Sequence, residues 1–312
     1  VISTLYFAPL QGVGNRVVRN AFFSRFPGFD AAIAPFIPST FNAKSDEKQF
    51  RDLLPDANVG VPLIPQILGN EAESFIATSR VLADFGYTEI NWNLGCPFPM
   101  VANKKRGSGL LPFPELIEQF LEQVCSHISV PLSVKVRLGR NDPREILRLV
   151  PIFNAFPLKS VIIHPRIGIQ MYEGTVDLDA FSEAALKLKH DVVYNGDIKD
   201  VETYESLRKR FPFVTSWMIG RWAIRDPFLP ARIKGLPLPA DQTATIKAFH
   251  DDAYHEYREI LCGPQHILDK MKELWGYLGL GFSKNQRALK NISHAKTIDA
   301  YDRAVDSLFS SY

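Results

Sequence analysis

The sequence predicts an α/β protein: a (β/α)8 TIM barrel followed by a small C-terminal helical-bundle domain. Three observations carry this. Short β-branched runs alternate with amphipathic stretches about eight times, and repeated βαβ units imply a parallel sheet with right-handed crossovers. The strand candidates end in polar residues or glycine, as barrel strands do where they open onto a functional face. Thr243 to Tyr312 shows helical periodicity and no strand candidate. The competing arrangement is an open doubly wound sheet, but no GxGxxG follows the first strand.

The elements read in order as follows. "TLYFA" (4–8) is strand-like, and Asn15 caps the helix "NRVVRNAFFSRF" (15–26) behind it. "FDAAIA" (29–34) is a second strand. "VPLIPQIL" (61–68) is a third, weakened by Pro62 and Pro65, which cannot donate to a ladder. Asn70 with Glu73 has the spacing of a capping box and opens a helix to Phe85. "YTEINWN" (87–93) is a strand, "PELIEQFLEQVCSHI" (114–128) a helix and "LSVKVRL" (132–138) a strand. Asp142-Pro143 with Glu145 starts a helix that runs to Phe156. "SVIIH" (160–164), "DVVYNG" (191–196) and "SWMIG" (216–220) are the last strands, with helices "LDAFSEAALKL" (178–188) and "DVETYESLRKRF" (200–211) between them. Turn residues and prolines in "GLPLPADQ" mark a linker, so the expected divisions are a barrel at 1–235, a linker at 236–242 and a helical domain at 243–312.

Composition narrows the function classes. With 312 residues and 46 % hydrophobic residues, a substantial core forms and global disorder is excluded. A net charge of +2 neither implies nor excludes a polyanionic partner. Cys96, Cys125 and Cys262 are far apart and form no CxxC, which predicts free thiols in a reducing, cytoplasmic compartment and no metal site. Cys125 and Cys262 lie in helical patterns and are expected to pack. No apolar run reaches the roughly 18 residues of a membrane span and no signal peptide is visible. The chain opens at Val1 without methionine, so trimming at this end is expected.

Cys96 is held between glycine and proline in "NLGCPFPM", at the end of a strand. That setting suits a displayed thiol better than a packing one. The other strand ends supply Gln66, Asn93, Lys135, His164, Asn195 and Gly220. Lys135, flanked by apolar residues, must snorkel, pair, or face an anion in the barrel mouth. His164, beside Arg166, fits either a hydrogen-bonded core histidine or a site group. The turns Asn195-Gly196-Asp197 and Gly220-Arg221, on the last two strands, stand where such barrels bind phosphate on backbone N–H groups.

These residues lie in "APLQGVGNRVVR", "PQILG", "NWNLGCP", "SVKVRLG", "HPR", "NGDI" and "MIGR". Together, from Ala8 to Arg221, the chain resembles the FMN-dependent tRNA-dihydrouridine synthases. The resemblance implies that Ala8, Pro9 and Gln66 lie against the flavin, and that Asn93 holds substrate or flavin near Cys96. It puts Lys135 and His164 on the flavin ring and its polar tail. Asn195, Gly196, Asp197, Gly220 and Arg221 would surround the ribityl chain and phosphate. Arg137, Arg166 and Tyr172 would face the uracil or the RNA. NADPH or NADH is the implied reductant, using the flavin site transiently, since the chain has no dinucleotide fingerprint. The chain looks most like the bacterial C-type subgroup that modifies position 16 of the D-loop. It departs from the family pattern at Leu10, Pro35 and Trp222.

The tail "DKMKELWGYL" (269–278) is similar to the family's tRNA-binding helical domain. From Asp241 to Tyr312 there are nine Lys/Arg against ten Asp/Glu, yet Lys270 to Lys296 holds six basic residues and a single acidic one, Glu273. Trp275, Tyr277 and Phe282 are interspersed. Composition alone favours a solvated helix face over core aromatics; the resemblance favours phosphate contacts by Lys270, Lys272 and Arg287, with aromatics stacking on bases. Lys104 and Arg106 in "NKKRG" add a basic loop beside Cys96. A target base must leave its stack to reach a barrel mouth, which suits loop RNA.

The implied reaction adds hydride from reduced FMN to C6 of uridine and a proton from Cys96 to C5. A thiol with an ordinary pKa of about 8.5 suits an acid, and the local sequence shows no base to make a thiolate. Lys135 is the expected electrostatic partner of the anionic reduced flavin. Two alternatives stand beside this: an FMN barrel oxidoreductase acting on a free pyrimidine or enone, and a non-catalytic RNA-binding protein on a relic barrel. Intact Cys96, Lys135 and His164 weigh against the last.

Overall fold

The computed structural model describes residues 3–41, 47–58, 60–282 and 284–311. It contains ten short parallel strands: β1 Thr4–Phe7, β2 Ala31–Ile33, β3 Ile37–Pro38, β4 Leu63–Ile64, β5 Gln66–Leu68, β6 Ile90–Leu94, β7 Leu132–Gly139, β8 Leu158–Ile167, β9 Asp191–Tyr194 and β10 Ser216–Ile219. They pair in the order β3-β5-β6-β7-β8-β9-β10-β1-β2-β4. That order closes on itself. β2 and β3 are two segments of one barrel strand, and so are β4 and β5. β2 pairs with β4 while β3 pairs with β5. The result is an eight-stranded parallel barrel whose second and third strands are each interrupted.

The interruptions have a chemical cause. Pro65 separates β4 from β5; it cannot donate, and only its carbonyl is used, accepting from Asn91 N–H at 2.8 Å. Pro35 stands in the gap between β2 and β3. The expected third strand therefore exists in two pieces. β8 runs longer than expected, through Pro165 and Arg166, which brings Arg166 onto the barrel wall. Period-two alternation sends Ala8, Ile33, Ile162, Val193 and Met218 into one small cluster inside the barrel. Their neighbours Leu5, Phe7, Trp92 and Trp217 pack outward against the helices; Trp92 stacks on Phe120 with centroids 4.0 Å apart.

Asn15 caps its helix, accepting from Val18 N–H. Asn70 does not. The helix Ala72–Asp84 has Glu71 at its N-cap and no side-chain cap; Asn70 lies one residue before the cap position, where its Oδ1 accepts from Arg106 Nε at 3.0 Å and its amide donates to the Lys104 carbonyl. The helix expected from Asp142 begins at Glu145, whose carboxylate gathers the N–H groups of Arg140, Asn141 and Asp142.

The tail folds into four helices: Gln242–Ile260, Pro264–Leu278, Gln286–His294 and Ile298–Phe309. Asp241 caps the first, accepting from Ala244 N–H at 2.8 Å. The tail docks on the first barrel helix, Arg16–Arg25. Phe249 meets Phe22 and Phe26 with centroids 5.9 and 5.4 Å apart, Asn15 donates to Tyr257 Oη at 2.7 Å, and Arg25 pairs with Asp252. Trp275 and Phe282 are buried in the tail's own core, where Trp275 Nε1 donates to Tyr301 Oη at 2.8 Å. The expectation that they stack on bases is overturned: both rings are sequestered. Among the described residues no helix is long and apolar enough to cross a membrane.

Candidate active site

A cavity of about 310 Å³ opens at the C-terminal ends of the strands. It brings together Ala8, Pro9, Gln66, Asn93, Cys96, Lys135, Arg137, His164, Tyr172, Asn195, Gly196, Asp197, Gly220 and Arg221, drawn from the ends of seven strands and their loops. Leu10 and Trp222 line it as well, so two departures from the family pattern bear directly on its shape. Sequence reasoning missed Gln11, Phe36, Phe98 and the role of Tyr277 here. Tyr277 comes from the tail helix Pro264–Leu278, and no local signal at residue 277 announces that it meets the barrel mouth.

Cys96 sits on a tightly held turn. Its N–H donates to Asn93 Oδ1 at 2.8 Å, as does that of Gly95 at 3.1 Å. Its carbonyl accepts from Ser108 N–H at 3.0 Å. Gly107 makes this approach possible: its φ is +54°, and a Cβ there would lie 2.6 Å from the Cys96 carbonyl oxygen. Arg140, unremarked in the sequence, closes the far side by donating to the Pro97 carbonyl at 3.2 Å. Cys96 is 7 % exposed. Burial pushes its pKa up, against the opposing pull of the Phe98 N–H and the cations Arg137 and Lys135. The thiol is held protonated, and those same neighbours favour the thiolate once the proton leaves.

The neighbouring strand β7 brings cations to the cavity. Lys135 has no ion pair or hydrogen bond among the described residues, and burial first, then Arg137, pull its pKa down to about 7. Arg137 ties the Cys96 turn to the loop after β8: Nε donates to the Gly95 carbonyl at 3.0 Å, and one terminal nitrogen to the carbonyls of Ile167 and Met171. Burial draws its pKa down to about 10. Tyr172, 45 % exposed, lies between the guanidinium groups of Arg137 and Arg221, 5.3 and 5.0 Å from its ring centre.

Arg166 lies within hydrogen-bond distance of His164 Nε2, at 3.1 Å. A guanidinium can only donate, so Nε2 carries the lone pair and Nδ1 the proton. Burial and the surrounding cations keep this imidazole neutral, its pKa far below the ordinary value. Arg166 itself is 2 % exposed and uses all five N–H groups within the chain: on His164, twice on Asp197 (2.6 and 3.3 Å) and on the carbonyls of Glu173 and Gly174. The expectation that Arg166 faces the uracil or RNA is corrected on that ground; it braces His164, Asp197 and the loop after β8. Asp197 also lies 3.7 Å from Arg221.

Asn195 ties β9 to β10 by donating to the Met218 carbonyl at 3.0 Å. Gly196 has no room for a side chain, since a Cβ would overlap Tyr194 Oη. The N–H groups of Gly196 and Asp197 have no acceptor among the described residues. At Gly220 a Cβ would meet only ordinary contacts, 3.5 Å from Ala8 and Leu10.

Outside the cavity the expected RNA-facing cations divide. Lys104 and Arg287 are exposed. Arg106 is bonded to Asn70. Lys270 binds the Gly12 carbonyl and Glu273, and Lys272 binds the Ala295 carbonyl. Those two lysines fasten the tail to the barrel and to itself. Phe98 and Met100, beside Lys104, are exposed, Met100 at 78 %.

Residues 6–304 match the family model described as "Dihydrouridine synthase (Dus)". The chain is 28 % identical over 250 residues to a tRNA-dihydrouridine(16) synthase of Cupriavidus necator, covering 77 % of each chain. It is 28 % identical over 316 residues to the enzyme of that name from Neisseria meningitidis serogroup A, covering 97 % of this chain and 94 % of that one. A tRNA-dihydrouridine synthase B of Pasteurella multocida is 25 % identical, with 72 % and 67 % covered. Among solved structures, an old yellow enzyme homologue from Zymomonas mobilis superposes with a TM-score of 0.56 at 11 % identity, over 77 % of this chain and 91 % of that one. Morphinone reductase does so at 0.54 and 11 %, over 78 % and 88 %. At these identities the two structures speak to the fold alone.

Proposed function

The chain belongs to the dihydrouridine synthase family, and from that premise we propose that it reduces the C5–C6 double bond of a tRNA uridine, with Cys96 as the acid that protonates C5. The carrying observation is a buried thiol, on a turn whose N–H groups Asn93 holds, in the same cavity as a lysine with no counter-ion among the described residues.

The donor set fits FMN. Among the described residues Lys135 has no anion and the N–H groups of Gly196 and Asp197 have no acceptors, and Gly196 leaves the approach to them clear. Lys135, Gln66 and the Nδ1–H of His164 would hold the ring system and its polar edge; Asn195, Gly196, Gly220 and Arg221 would hold the tail and phosphate. Held there, FMN would supply the hydride for C6, with NADPH or NADH as the implied source of electrons.

Cys96 gives its proton to C5, and Arg137 and Lys135 favour the thiolate that results. Arg137 holds the turn and the loop after β8 in one arrangement, so thiol and base meet in fixed geometry. Tyr172, exposed at the mouth, offers a face to the flipped pyrimidine. Lys104 and Arg287 attract the phosphate backbone, and the tail that carries Arg287 also supplies Tyr277 to the site. Two relatives that cover most of the chain carry position 16 in their names, which favours uridine 16 as the target. A tRNA substrate supports a cytoplasmic location for the enzyme.

The test is dihydrouridine mapping by mass spectrometry on tRNA incubated with wild type and Cys96→Ala. The variant is expected to keep its flavin and its tRNA affinity and to lose roughly a hundredfold or more of turnover. Near-normal reduction by Cys96→Ala would refute the assignment of the acid. Efficient reduction of free uridine, with tRNA untouched, would move the substrate to small molecules.

A further inference from the structure

Four buried side chains on three neighbouring strands form a single hydrogen-bonded line that ends on Cys96. Ser133 Oγ donates to the Ile90 carbonyl (3.3 Å) and accepts from Asn91 Nδ2 (2.9 Å). Asn91 Oδ1 accepts from Gln66 Nε2 (2.7 Å), and Gln66 Oε1 accepts from Asn93 Nδ2 (2.8 Å). Asn93 Oδ1 then receives the N–H groups of Gly95 and Cys96. Gln66 and Asn93 line the cavity; Asn91 and Ser133 do not, and both are fully buried.

Groups that cannot exchange roles fix the direction of this line at both ends. Backbone N–H groups only donate, so Asn93 must turn its oxygen to the Cys96 turn and its nitrogen to Gln66. Gln66 must then give oxygen to Asn93 and nitrogen to Asn91. Asn91 gives oxygen to Gln66 and nitrogen to Ser133, whose proton goes to the Ile90 carbonyl, which only accepts. Take away the Ser133 hydroxyl and Asn91 Nδ2 is buried without an acceptor, which is costly. Rotating Asn91 relieves that but reverses Gln66, and then Asn93, and turns an amide nitrogen against the N–H groups of the turn.

We propose that Asn91 and Ser133 are positioning residues for Cys96: acting through Gln66 and Asn93, they set the place of the thiol at the cavity wall. The catalytic consequence rests on Cys96 being the acid; the positioning itself is measurable without that.

Asn91→Leu removes both functions of the amide at similar volume, and Ser133→Ala removes only the far end. In flavin-loaded protein, alkylation of Cys96 by iodoacetamide, resolved from Cys125 and Cys262 by peptide mass mapping, is expected to accelerate several-fold in both variants. Their kcat on tRNA, measured with saturating FMN, should fall by roughly ten- to a hundredfold with KM for tRNA unchanged. Ser133→Thr, which keeps a hydroxyl, should recover most of that loss. In a Cys96→Ala background neither substitution should lower the residual rate further. Wild-type alkylation rates in Ser133→Ala, or an equal further loss in the Cys96→Ala background, would overturn the proposal. Should Asn91→Leu fail to fold, Ser133→Ala carries the test. Altered alkylation in a protein that leaves tRNA unreduced would support the positioning and sink the reading of the reaction.

Discussion

Replacing Lys135 with Met tests the electrostatics of the site most directly. Without a counter-ion, Lys135 is drawn from the ordinary 10.5 down to about 7, chiefly by burial and then by Arg137. An anionic group entering the cavity favours the ammonium and raises that pKa again, so flavin binding takes up a proton above pH 7. The bound state has the higher pKa. The contribution of Lys135 to affinity is therefore complete below about pH 7 and fades as pH rises towards the bound-state value. Between the two, each pH unit lowers affinity by up to about tenfold. The cavity is open to solvent at its mouth, and screening discounts the full span, so a loss of roughly ten- to a hundredfold between pH 7 and 9 is the expected scale. In the flavin-free protein the sign is opposite. The folded pKa lies below the unfolded one, the unfolded chain binds more protons between about 7 and 10.5, and stability rises with pH across that window. The assay is FMN fluorescence quenching from pH 6 to 9 on wild type and Lys135→Met. The difference between them isolates Lys135 from the phosphate's own titration. If Lys135→Met binds FMN more weakly at pH 6 but keeps the wild-type pH slope, the reasoning is wrong.

Further outcomes follow from the same geometry. Arg166→Ala strands Asp197 and empties a 2 % exposed position; denaturant unfolding should show a loss of about 3 kcal/mol, and a loss near zero would mean the five bonds contribute little. Gly107→Ala puts a Cβ 2.6 Å from the Cys96 carbonyl at a φ of +54°; kcat on tRNA should fall while flavin content holds, and an unaltered kcat would show that the turn tolerates displacement. Tyr277→Ala should raise KM for tRNA with little change in flavin affinity; an effect confined to flavin would assign Tyr277 to the cofactor instead. Lys104→Ala and Arg287→Ala, both exposed, should each reduce the salt dependence of tRNA binding by about one unit of slope, whereas Lys272→Ala, bonded to the Ala295 carbonyl, should act on stability and leave the slope alone.

Much of the barrel was legible because strand and helix periods are local. The runs at 132–138, 160–164 and 216–220 lie within β7, β8 and at β10, and Asn15 caps its helix, its oxygen accepting from Val18 N–H three residues on while the Tyr257 hydroxyl shares it at 3.1 Å. Asn70 carries an equally good capping pattern and fails: the helix begins one residue later, with Glu71 at the cap position, and the Asn70 oxygen accepts from Arg106, 36 residues away. The strand-end residues were legible as a set, since a barrel sends all its strand ends to one face. Arg166, which the resemblance put against the uracil or RNA, is used up by Asp197, His164 and two carbonyls. For Trp275 composition favoured a core aromatic and the resemblance a base-stacking one; Tyr301, 26 residues on, takes its N–H into the tail core.

By itself the sequence determined the alternation of elements, the thiol between glycine and proline at a strand end, and the convergence of Gln66, Asn93, Lys135, His164 and Asn195 on one rim, because each follows from spacing and from the handedness of βαβ units. Only the tertiary structure decided which of those groups remain free to act: Lys135 without a counter-ion, Arg166 saturated, Tyr277 brought in from the tail, and the buried amides that hold the Cys96 turn. A side chain's type is written at its own position, but its protonation and its availability are settled by partners tens to hundreds of residues away, and those distances close only when the chain folds.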